Sequence, residues 1–498
     1  MRAPPIRIAP EQGPWPLHDA AASRQAEQAA LAEHAPHALM AAAGLAVARL
    51  VAAMAPHAQR VQVWAGPGNN GGDGLVAACH LHAAGRSVQV NLLARTETQP
   101  PDATASLAQA VAMGVPIVRG TDAAPADLVI DALLGLGTRR APAGELAQAI
   151  AAVNRARCPV LAVDLPSGLH PDAGIPLGDH AVHASATLAL LSLKPGCFTG
   201  HGRDLAGTVW LDTLGVDAGP PSAWLSGPAA AGARPHARHK GSQGDVVVVG
   251  GAPGMVGAAW LAARAALAAG AGRVYCSPLD GTASLLESTQ PALMGRHAWW
   301  TAPRATLASA TVACGCGGGD AVRAALPALL SSVPRLVLDA DALNAIAVDT
   351  SLQQLLRQRA ARGRPTLLTP HPLEAARLLQ LDSAAVQADR IAAALALAAR
   401  YGCTVLLKGS GTVIASPGER PWINATGNAA LATAGSGDVL AGWAAGLWAQ
   451  QAEAPALDIA VAAAWQHGRA ADLWPAAAHG APLRAHELVE RLAHRCFD

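Results

Sequence analysis

The sequence predicts an α/β protein built from two layered domains. Short apolar segments alternate along the chain with alanine-rich segments of helical period, which is typical of parallel strands joined by helices. The length of 498 residues exceeds what one hydrophobic core usually supports. A stretch rich in proline, glycine and alanine at 215–235 separates two such series. We therefore place the domains at 1–225 and 226–498.

The first series begins with a βαβ unit. An apolar run from Val61 leads into a glycine-rich turn at 66–74, a helix from Leu75 and a strand at 87–94. Further strands are predicted at 128–134, 159–166 and 186–193, and the second series contributes strands at 245–251, 273–277, 311–315, 335–341, 365–370 and 404–409. Ligands bind at the carboxyl ends of strands in such sheets, so polar residues there are candidate site residues.

Composition excludes several function classes. The formal net charge is +1, from 36 basic and 35 acidic residues, which argues against nucleic-acid binding. There is no uninterrupted apolar run of about twenty residues, and the first residues lack the apolar core of a signal peptide. The eight cysteines form no CxxC pair and are expected to be reduced and mostly buried. We expect a cytoplasmic protein with small-molecule partners and no membrane partner.

The segment WAGPGNNGGDG at 64–74 is the first candidate site. Its glycines are expected to adopt positive φ angles and to let a ligand approach the backbone amides, and the following helix start favours an anion such as phosphate. A plain tight turn is the alternative. The segment matches neither the dinucleotide fingerprint nor a Walker loop.

Two more polar turns follow predicted strands in this domain. Asp131 precedes a glycine turn that carries Arg139 and Arg140, and Asp164 precedes a turn with Ser167. Either aspartate could cap its turn, or a carboxylate there could act as an acid or base. Asn70, Asp131 and Ser167 offer hard oxygen donors for an alkali or alkaline-earth cation, and the sequence does not choose the ion.

The second domain carries its own constellation. A glycine-serine-glycine turn precedes Asp438 and an apolar helix, an arrangement that can hold phosphate and place a proton acceptor, although Asp438 could also be a simple helix cap. Lys408 lies in a second small-residue turn. His371 lies between two prolines, with Glu374 in the first helical turn, and is either a ligand contact or a structural turn histidine.

The motifs GPGNNGGDG, DALLGLG and VDLPSG resemble, in this order and spacing, the NAD(P)H-hydrate epimerase family, also called the YjeF N-terminal domain. The resemblance covers about residues 15–225 and implies a Rossmann-like three-layer fold in which Asn70, Asp131 and Ser167 bind K⁺. It also implies the residues that hold the hydrated nucleotide: Asn69, Asn70, Gly71, Gly72, Asp73, Gly135, Leu136, Gly137, Thr138, Arg139, Arg140, Ala141 and Asp164.

Two details accompany this resemblance. Lys194, in an LKPG segment like one in the family, either lies near the site or is solvated. Where the family usually has an LMERAG-like helix, this chain has LMAAAG at 39–44, which is expected to affect packing and to leave the three motifs intact.

The motifs DVVVVGG, DADALN, TPHPLEAARLL, LLKGSGT and AGSGDVLAG resemble the ADP- or ATP-dependent NAD(P)H-hydrate dehydratase family, over about residues 230–498. The resemblance implies a ribokinase-like three-layer fold. It implies that ADP, with Mg²⁺, contacts Lys408, Gly409, Ser410, Gly411, Thr412 and Gly437, and that the hydrate contacts Ala258, Gly317, His371 and Asp438. GCGGG at 315–319 departs from the family's GPGLG, which puts the shape of that loop in doubt.

The fusion implies one repair path for hydrated NADH and NADPH (NADHX and NADPHX). The first domain would interconvert the R and S epimers through Asp164. The second would dehydrate the S form through Asp438 while ADP becomes AMP and phosphate. Two alternatives stay open: a ribokinase-like small-molecule kinase, and a first domain that only binds nucleotide. The resemblance also implies a homo-oligomer, a tetramer or octamer.

Overall fold

Strands and helices alternate along both halves of the chain in the computed structural model, which describes residues 4–93, 99–228, 236–475 and 479–494. The chain divides into two compact units, Met1–Leu225 and Ser226–Asp498. The last part of the predicted linker, 229–235, and Cys496 lie outside the described residues.

The first unit contains ten strands and six helices among its described residues. They are β1 (Ile6–Arg7), β2 (Trp15–Leu17), α1 (Ala20–Glu33), α2 (Ala38–Met54), β3 (Arg60–Ala65), α3 (Asn69–Ala83), β4 (Ser87–Leu92), α4 (Pro101–Ala112), β5 (Ile117–Arg119), β6 (Leu128–Ala132), α5 (Glu145–Asn154), β7 (Val160–Val163), β8 (Ala186–Leu190), α6 (Gly202–Leu205), β9 (Thr208–Asp212) and β10 (Ala223–Leu225).

Eight of these strands form one sheet in the order β1-β9-β8-β7-β6-β3-β4-β5. Only β1 runs antiparallel to its neighbour. Helices cover both faces, because Val63 of β3 packs in a core with α2 and α3, whereas its neighbour Trp64 packs with α5 on the other side. The order places the carboxyl ends of β3, β6 and β7 side by side.

Among the described residues, no single helix is both long and apolar enough to cross a bilayer, and α1 and α2 satisfy length and composition only as a pair with a bend of 116° between them.

The described part of the second unit contains nine strands and eleven helices. They are β11 (Asp245–Gly250), α7 (Val256–Ala269), β12 (Arg273–Pro278), β13 (Met294–Gly295), α8 (Arg304–Leu307), β14 (Ala310–Cys314), α9 (Leu326–Ser332), β15 (Arg335–Leu338), α10 (Ala340–Val348), α11 (Thr350–Ala361), β16 (Thr366–Leu368), α12 (Pro372–Leu379), α13 (Ser383–Ala388), α14 (Arg390–Tyr401), β17 (Thr404–Leu407), β18 (Thr412–Ala415), β19 (Trp422–Asn424), α15 (Ser436–Gln450), α16 (Ala456–Asp472) and α17 (Ala485–Ala493).

Within this unit the strands run in the order β13-β12-β11-β14-β15-β16-β17-β18-β19. Pairing is parallel up to β17 and antiparallel for β18 and β19. Along β11, Val246 and Val248 pack against α7 and α15, whereas Val247 and Val249 belong to a second core with α9 to α14. The alternation shows a sheet buried on both faces, which confirms the predicted three-layer α/β architecture.

The close packing of α7 against α15 explains part of the high alanine and glycine content. A Cβ atom added to Gly442 would lie 2.0 Å from the carbonyl oxygen of Ala262, and one added to Gly446 would lie 2.6 Å from that of Ala266. The two helices therefore approach so closely that only small residues fit between them.

Every strand of the two series named from the sequence is present with shifted ends. Eight of the described strands were missed: β1, β2, β5, β9, β10, β13, β18 and β19. The residues that follow the Lys408 turn, Thr412 to Ala415, form β18, which is antiparallel to β17. Its apolar residues are too few for a period to be recognised.

Candidate functional site

The three polar turns of the first unit meet at one cavity of about 650 Å³. The turns follow β3, β6 and β7, which are neighbours in the parallel sheet, so their carboxyl ends share an edge. Asn69, Asn70, Asp73, residues 135–141 and Asp164 all line the cavity. Gly71 and Gly72, predicted to hold the substrate, are not among its lining residues.

The glycines of 66–74 serve a different purpose from the one predicted. None of Gly66, Gly68, Gly71, Gly72 and Gly74 has a positive φ, so the expectation of left-handed backbone was wrong. The helix also begins earlier than predicted, at Asn69.

These glycines are required because other parts of the unit approach closely. A Cβ atom on Gly66 would lie 1.7 Å from the carbonyl oxygen of Leu133, and one on Gly74 would lie 2.5 Å from the Cβ of Ala132. Only Gly68, the residue before α3, has open space beside it. The first turn of α3 is thereby held against β6 with its amide end at the cavity, where an anion is favoured.

The predicted cation ligands are brought together around the backbone of Leu134. Asn70 donates through Nδ2 to the Leu134 carbonyl oxygen over 3.1 Å, and the Leu134 amide donates to Ser167 Oγ over 2.8 Å. Ser167 in turn donates through Oγ and through its amide to the Asp131 carboxylate, over 2.6 Å and 2.8 Å. Burial, partly offset by these bonds, raises the pKa of Asp131 to about 6.

One oxygen in this cluster has no protein partner within the described structure. Asn70 Oδ1 is buried without a hydrogen bond, an arrangement that costs free energy unless something else is bound there. The side chain's amide nitrogen is already occupied, so the free group is an acceptor. Oxygen donors of this kind fit a hard cation.

Asp164 lies at the end of β7 with a left-handed backbone, φ 66°. Its carboxylate forms an ion pair with Lys194 Nζ, which also donates to the Leu190 carbonyl oxygen over 2.7 Å. The Lys194 side chain is only 2% exposed, so the alternative of a solvated lysine was wrong. Both residues line the cavity, which places a fixed carboxylate and a cation at its wall.

Three further acids line the cavity, Asp73 on α3, Glu27 on α1 and Asp102 on α4. Burial, and then the charge of Asp164, raises the pKa of the first two; for Asp73 the result is well above the usual range. Glu27 was missed from the sequence, because nothing in the polar and alanine-rich α1 marks it.

The second unit collects its polar groups at the carboxyl ends of β14, β15 and β17 and at the start of α15. The Sγ of Cys316 and carboxylate oxygens of Asp339 and Asp438 all lie within 4.8 Å of one another. Lys408, directly after β17, donates to Asp339 over 2.6 Å. Asp339 was missed as a site residue, although the rule that selected Asp131 and Asp164, an acid directly after a buried strand, would have found it.

Asp438 is in the first turn of α15, after Gly435, whose φ of 88° starts the helix sharply. Burial, followed by the charge of Asp339, raises the pKa of Asp438 to about 6. The thiol of Cys316 hydrogen-bonds to this carboxylate, and that bond opposes the rise. Asp438 is thus a carboxylate that can take up a proton near neutral pH.

The structure shows the structural role that was weighed for His371. It is the N-cap of α12, where Nδ1 accepts from the amides of Leu373 and Glu374, and Nε2 lies 3.2 Å from Glu374 Oε1. Its side chain is still 45% exposed. Glu374 Oε2 in turn lies 4.0 Å from Lys408 Nζ, so His371 joins the charged group of the site through Glu374.

The remaining predicted residues of this unit lie on two sides of that group. Gly317 has φ 57°, and a Cβ atom there would lie 2.9 Å from the Cβ of Ala258, so these two predicted hydrate contacts are adjacent. On the other side, the guanidinium of Arg390 donates to the carbonyl oxygens of Leu407 and Lys408 over 3.2 Å and 3.1 Å. Arg390 thereby supports the turn that carries Gly409 to Gly411.

Comparison with known proteins identifies the family. A family model described as YjeF-related protein N-terminus matches residues 36–196, and one described as NAD(P)H-hydrate dehydratase matches residues 246–494. The bifunctional NAD(P)H-hydrate repair enzyme Nnr of Escherichia coli (strain K12) is 34% identical over 80% of this chain and 78% of that protein. The bifunctional NAD(P)H-hydrate repair enzyme of Leishmania braziliensis is 36% identical over 91% and 88%.

The chain belongs to the bifunctional NAD(P)H-hydrate repair enzyme family. A solved ADP/ATP-dependent NAD(P)H-hydrate dehydratase from Bacillus subtilis, co-crystallised with ATP and Mg²⁺, covers 53% of the chain at 29% identity, with 94% of its own length aligned and a TM-score of 0.44. The two family models confirm, for both halves of the chain, the resemblance found in the motifs.

Proposed function

We propose that this chain repairs hydrated nicotinamide nucleotides: the first unit interconverts R- and S-NAD(P)HX, and the second dehydrates the S form while converting ADP to AMP and phosphate. The observation that carries the proposal is the convergence of all three epimerase motifs on one cavity that also contains the Asp164–Lys194 pair. The first unit therefore has the acid and base groups of a catalyst, which a module that only binds nucleotide does not need.

In the first unit, Asp164 is the proposed proton acceptor. Its carboxylate is fixed by Lys194 and faces the cavity, so it is available to a hydroxyl on the ring. The amide end of α3 and the arginines at 139–140 are the proposed contacts for the nucleotide's phosphates.

The proposed cation of this unit is K⁺. Asn70, Asp131 and Ser167 would hold it, and the buried, unpartnered Oδ1 of Asn70 supports that assignment. A cation there would supply positive charge next to the 135–141 turn.

In the second unit, Asp438 is the proposed base. It would accept the proton of the ring hydroxyl as that oxygen attacks the terminal phosphorus of ADP and AMP leaves. Loss of phosphate together with a proton from the neighbouring ring carbon would then restore the ring double bond. Phosphorylation replaces a poor leaving group by a good one. The proposed ADP contacts are Lys408 to Thr412 and Gly437, with Mg²⁺ carried by the nucleotide. A Cβ atom added to Gly437 would lie 3.3 Å from Lys408 Nζ, and this short distance supports placing both residues in one nucleotide site.

The direct test supplies purified full-length protein with S-hydrate and ADP or ATP, and follows the absorbance of the restored reduced nicotinamide. Recovery of that absorbance with either nucleotide supports the proposal, and faster recovery with ADP supports the ADP assignment. No recovery with either would contradict it. A stable phosphorylated product in mass spectrometry would instead favour the small-molecule kinase. A homo-oligomer, tetramer or octamer, and a cytoplasmic location stay predictions.

A further inference from the structure

Epimerisation at a carbon that carries a hydroxyl beside a ring nitrogen needs two proton-transfer groups. If the ring opens, the hydroxyl gives its proton to a base, the carbon–nitrogen bond breaks, and its electron pair takes a proton from an acid. Ring closure on the other face of the new carbonyl returns both protons. This inference rests on the proposed function, in which Asp164 is the base. The acid of the first unit has no residue assigned to it there.

The cavity offers three other carboxyl groups, on Glu27, Asp73 and Asp102. Asp73 is four residues after Asn69 in α3, so both side chains lie on the helix face that lines the cavity. It approaches the cavity from α3, whereas Asp164 approaches from the end of β7. The two acids therefore reach the same space from different elements.

The surroundings of Asp73 favour its protonated form. Burial and then the charges of Asp164, Glu27 and Asp102 all raise its pKa, to well above the usual range. For Glu27, by contrast, a hydrogen bond from Asn69 and the charges of Lys194 and Arg24 oppose the rise in pKa. A carboxyl group whose pKa is raised by its surroundings is suited to be the acid of such a site.

We propose that Asp73 is the general acid of the first unit, donating its proton to the ring nitrogen while Asp164 accepts the proton of the ring hydroxyl. Ring closure reverses both transfers, so both groups return to their starting states and no further reactant is needed. Asp164 is the acceptor of the proposed function, and its ion pair with Lys194 fixes the position of its carboxylate.

The test uses the full-length chain with Asp73→Asn, and Asp204→Asn as the matched control, since Asp204 is exposed on α6 outside the cavity. The rate of R-to-S conversion is followed by chromatography, and dehydration of S-hydrate with ADP is measured on the same samples. We expect the Asp73 variant to lose about 10²-fold or more in kcat with little change in KM. The control should keep both activities.

Infrared spectroscopy separates a chemical from a structural role. In the native protein at neutral pH, a protonated carboxyl band should be present, and it should disappear in Asp73→Asn while the circular dichroism and the dehydration of S-hydrate are unchanged. R-to-S conversion within twofold of native in this variant, or a loss confined to KM, would overturn the proposal. Native-rate conversion in Asp164→Asn would instead contradict the proposed function itself.

Discussion

At the residue scale, the two proposed bases differ in the charged side chain that lies next to each of them. Asp164 faces a buried lysine directly, whereas Asp438 faces Asp339, whose own charge is met by Lys408. A neighbouring carboxylate disfavours ionisation and a neighbouring ammonium favours it. The activity of the second site should therefore follow pH near neutrality, because the pKa of Asp438 is raised to about 6.

The pH dependence of dehydration follows from Asp438. Burial and Asp339 raise its pKa to about 6, and a base must be ionised to act, so kcat/KM for S-hydrate should be constant above about pH 7. Below about pH 6 it should fall roughly tenfold per pH unit. The measurement is a pH profile of dehydration with ADP; a profile that is flat down to pH 5 would contradict the assignment of Asp438 as base.

Replacing Asp164 by asparagine should abolish one activity only. Without the proton acceptor, R-to-S conversion should fall by about 10²-fold or more. Dehydration of supplied S-hydrate should be unchanged, because Asp438 belongs to the other unit. Chromatographic analysis of both reactions checks this, and equal losses of the two activities would indicate misfolding instead.

How far the site could be predicted depends on the kind of residue. Asp131, Asp164 and Asp438 could be found because acids at strand ends and helix starts have a defined place in this architecture. Glu27 could not, because its position depends on contacts of α1 with residues distant in the chain, such as Ser192. The burial of Lys194 could not be predicted either, because it depends on contacts of Lys194 with residues that are distant in the chain.

At the scale of elements, the fold class and most strands followed from apolar runs, but the reason for the glycine-rich segment did not. Its glycines are dictated by the approach of Leu133 and Ala132 to the start of α3. Sequence shows which residues lack side chains and not which distant atoms occupy the space.

Substituting alanine at Gly66 should therefore destabilise the first unit. The added Cβ would overlap the carbonyl oxygen of Leu133, and we expect a loss of about 3 kcal/mol in free energy of unfolding. Gly68→Ala is the matched control, because its Cβ meets nothing within 4 Å, and it should change stability by no more than about 1 kcal/mol. Denaturant unfolding measures both; equal effects would contradict the packing argument.

The contact between α16 and the start of α15 predicts an acid-sensitive second unit. His467 Nε2 lies 3.0 Å from the Ser436 carbonyl oxygen, and burial lowers the His467 pKa from 6.5 to about 4. The unfolded chain then binds more protons between these values, so stability falls as pH drops from about 6.5 to 4, by up to about 3 kcal/mol.

Replacing His467 by glutamine should weaken this dependence of the free energy of unfolding on pH. The glutamine side-chain amide should still reach the Ser436 carbonyl oxygen. Denaturant unfolding of both proteins at several pH values across that window measures it. An unchanged slope in the variant would assign the acid sensitivity to other groups.

At the scale of the whole molecule, each unit has its own core on both faces of its sheet and its own proposed catalytic carboxylate. Because the two proposed reactions belong to different units, inactivating one reaction should leave the other active. The units can then be tested by complementation.

Mixing Asp164→Asn protein with Asp438→Asn protein should restore complete repair of R-hydrate. Each variant alone should leave R-hydrate unrepaired, the first for lack of S-hydrate and the second for lack of dehydration. Absorbance of reduced nicotinamide after addition of R-hydrate and ADP checks the three samples. Failure of the mixture, with each single remaining activity intact, would show that the intermediate must pass between units of one chain.

The left-handed backbone at Asp164 has a consequence for choosing replacements there. Asparagine and glycine tolerate that conformation, whereas alanine or a branched residue adds a conformational penalty of its own. In a saturation library at this position, inactive clones would thus fall into two groups, those that lack a proton acceptor and those that fold poorly. Asparagine and glycine are the replacements whose phenotype reports on chemistry.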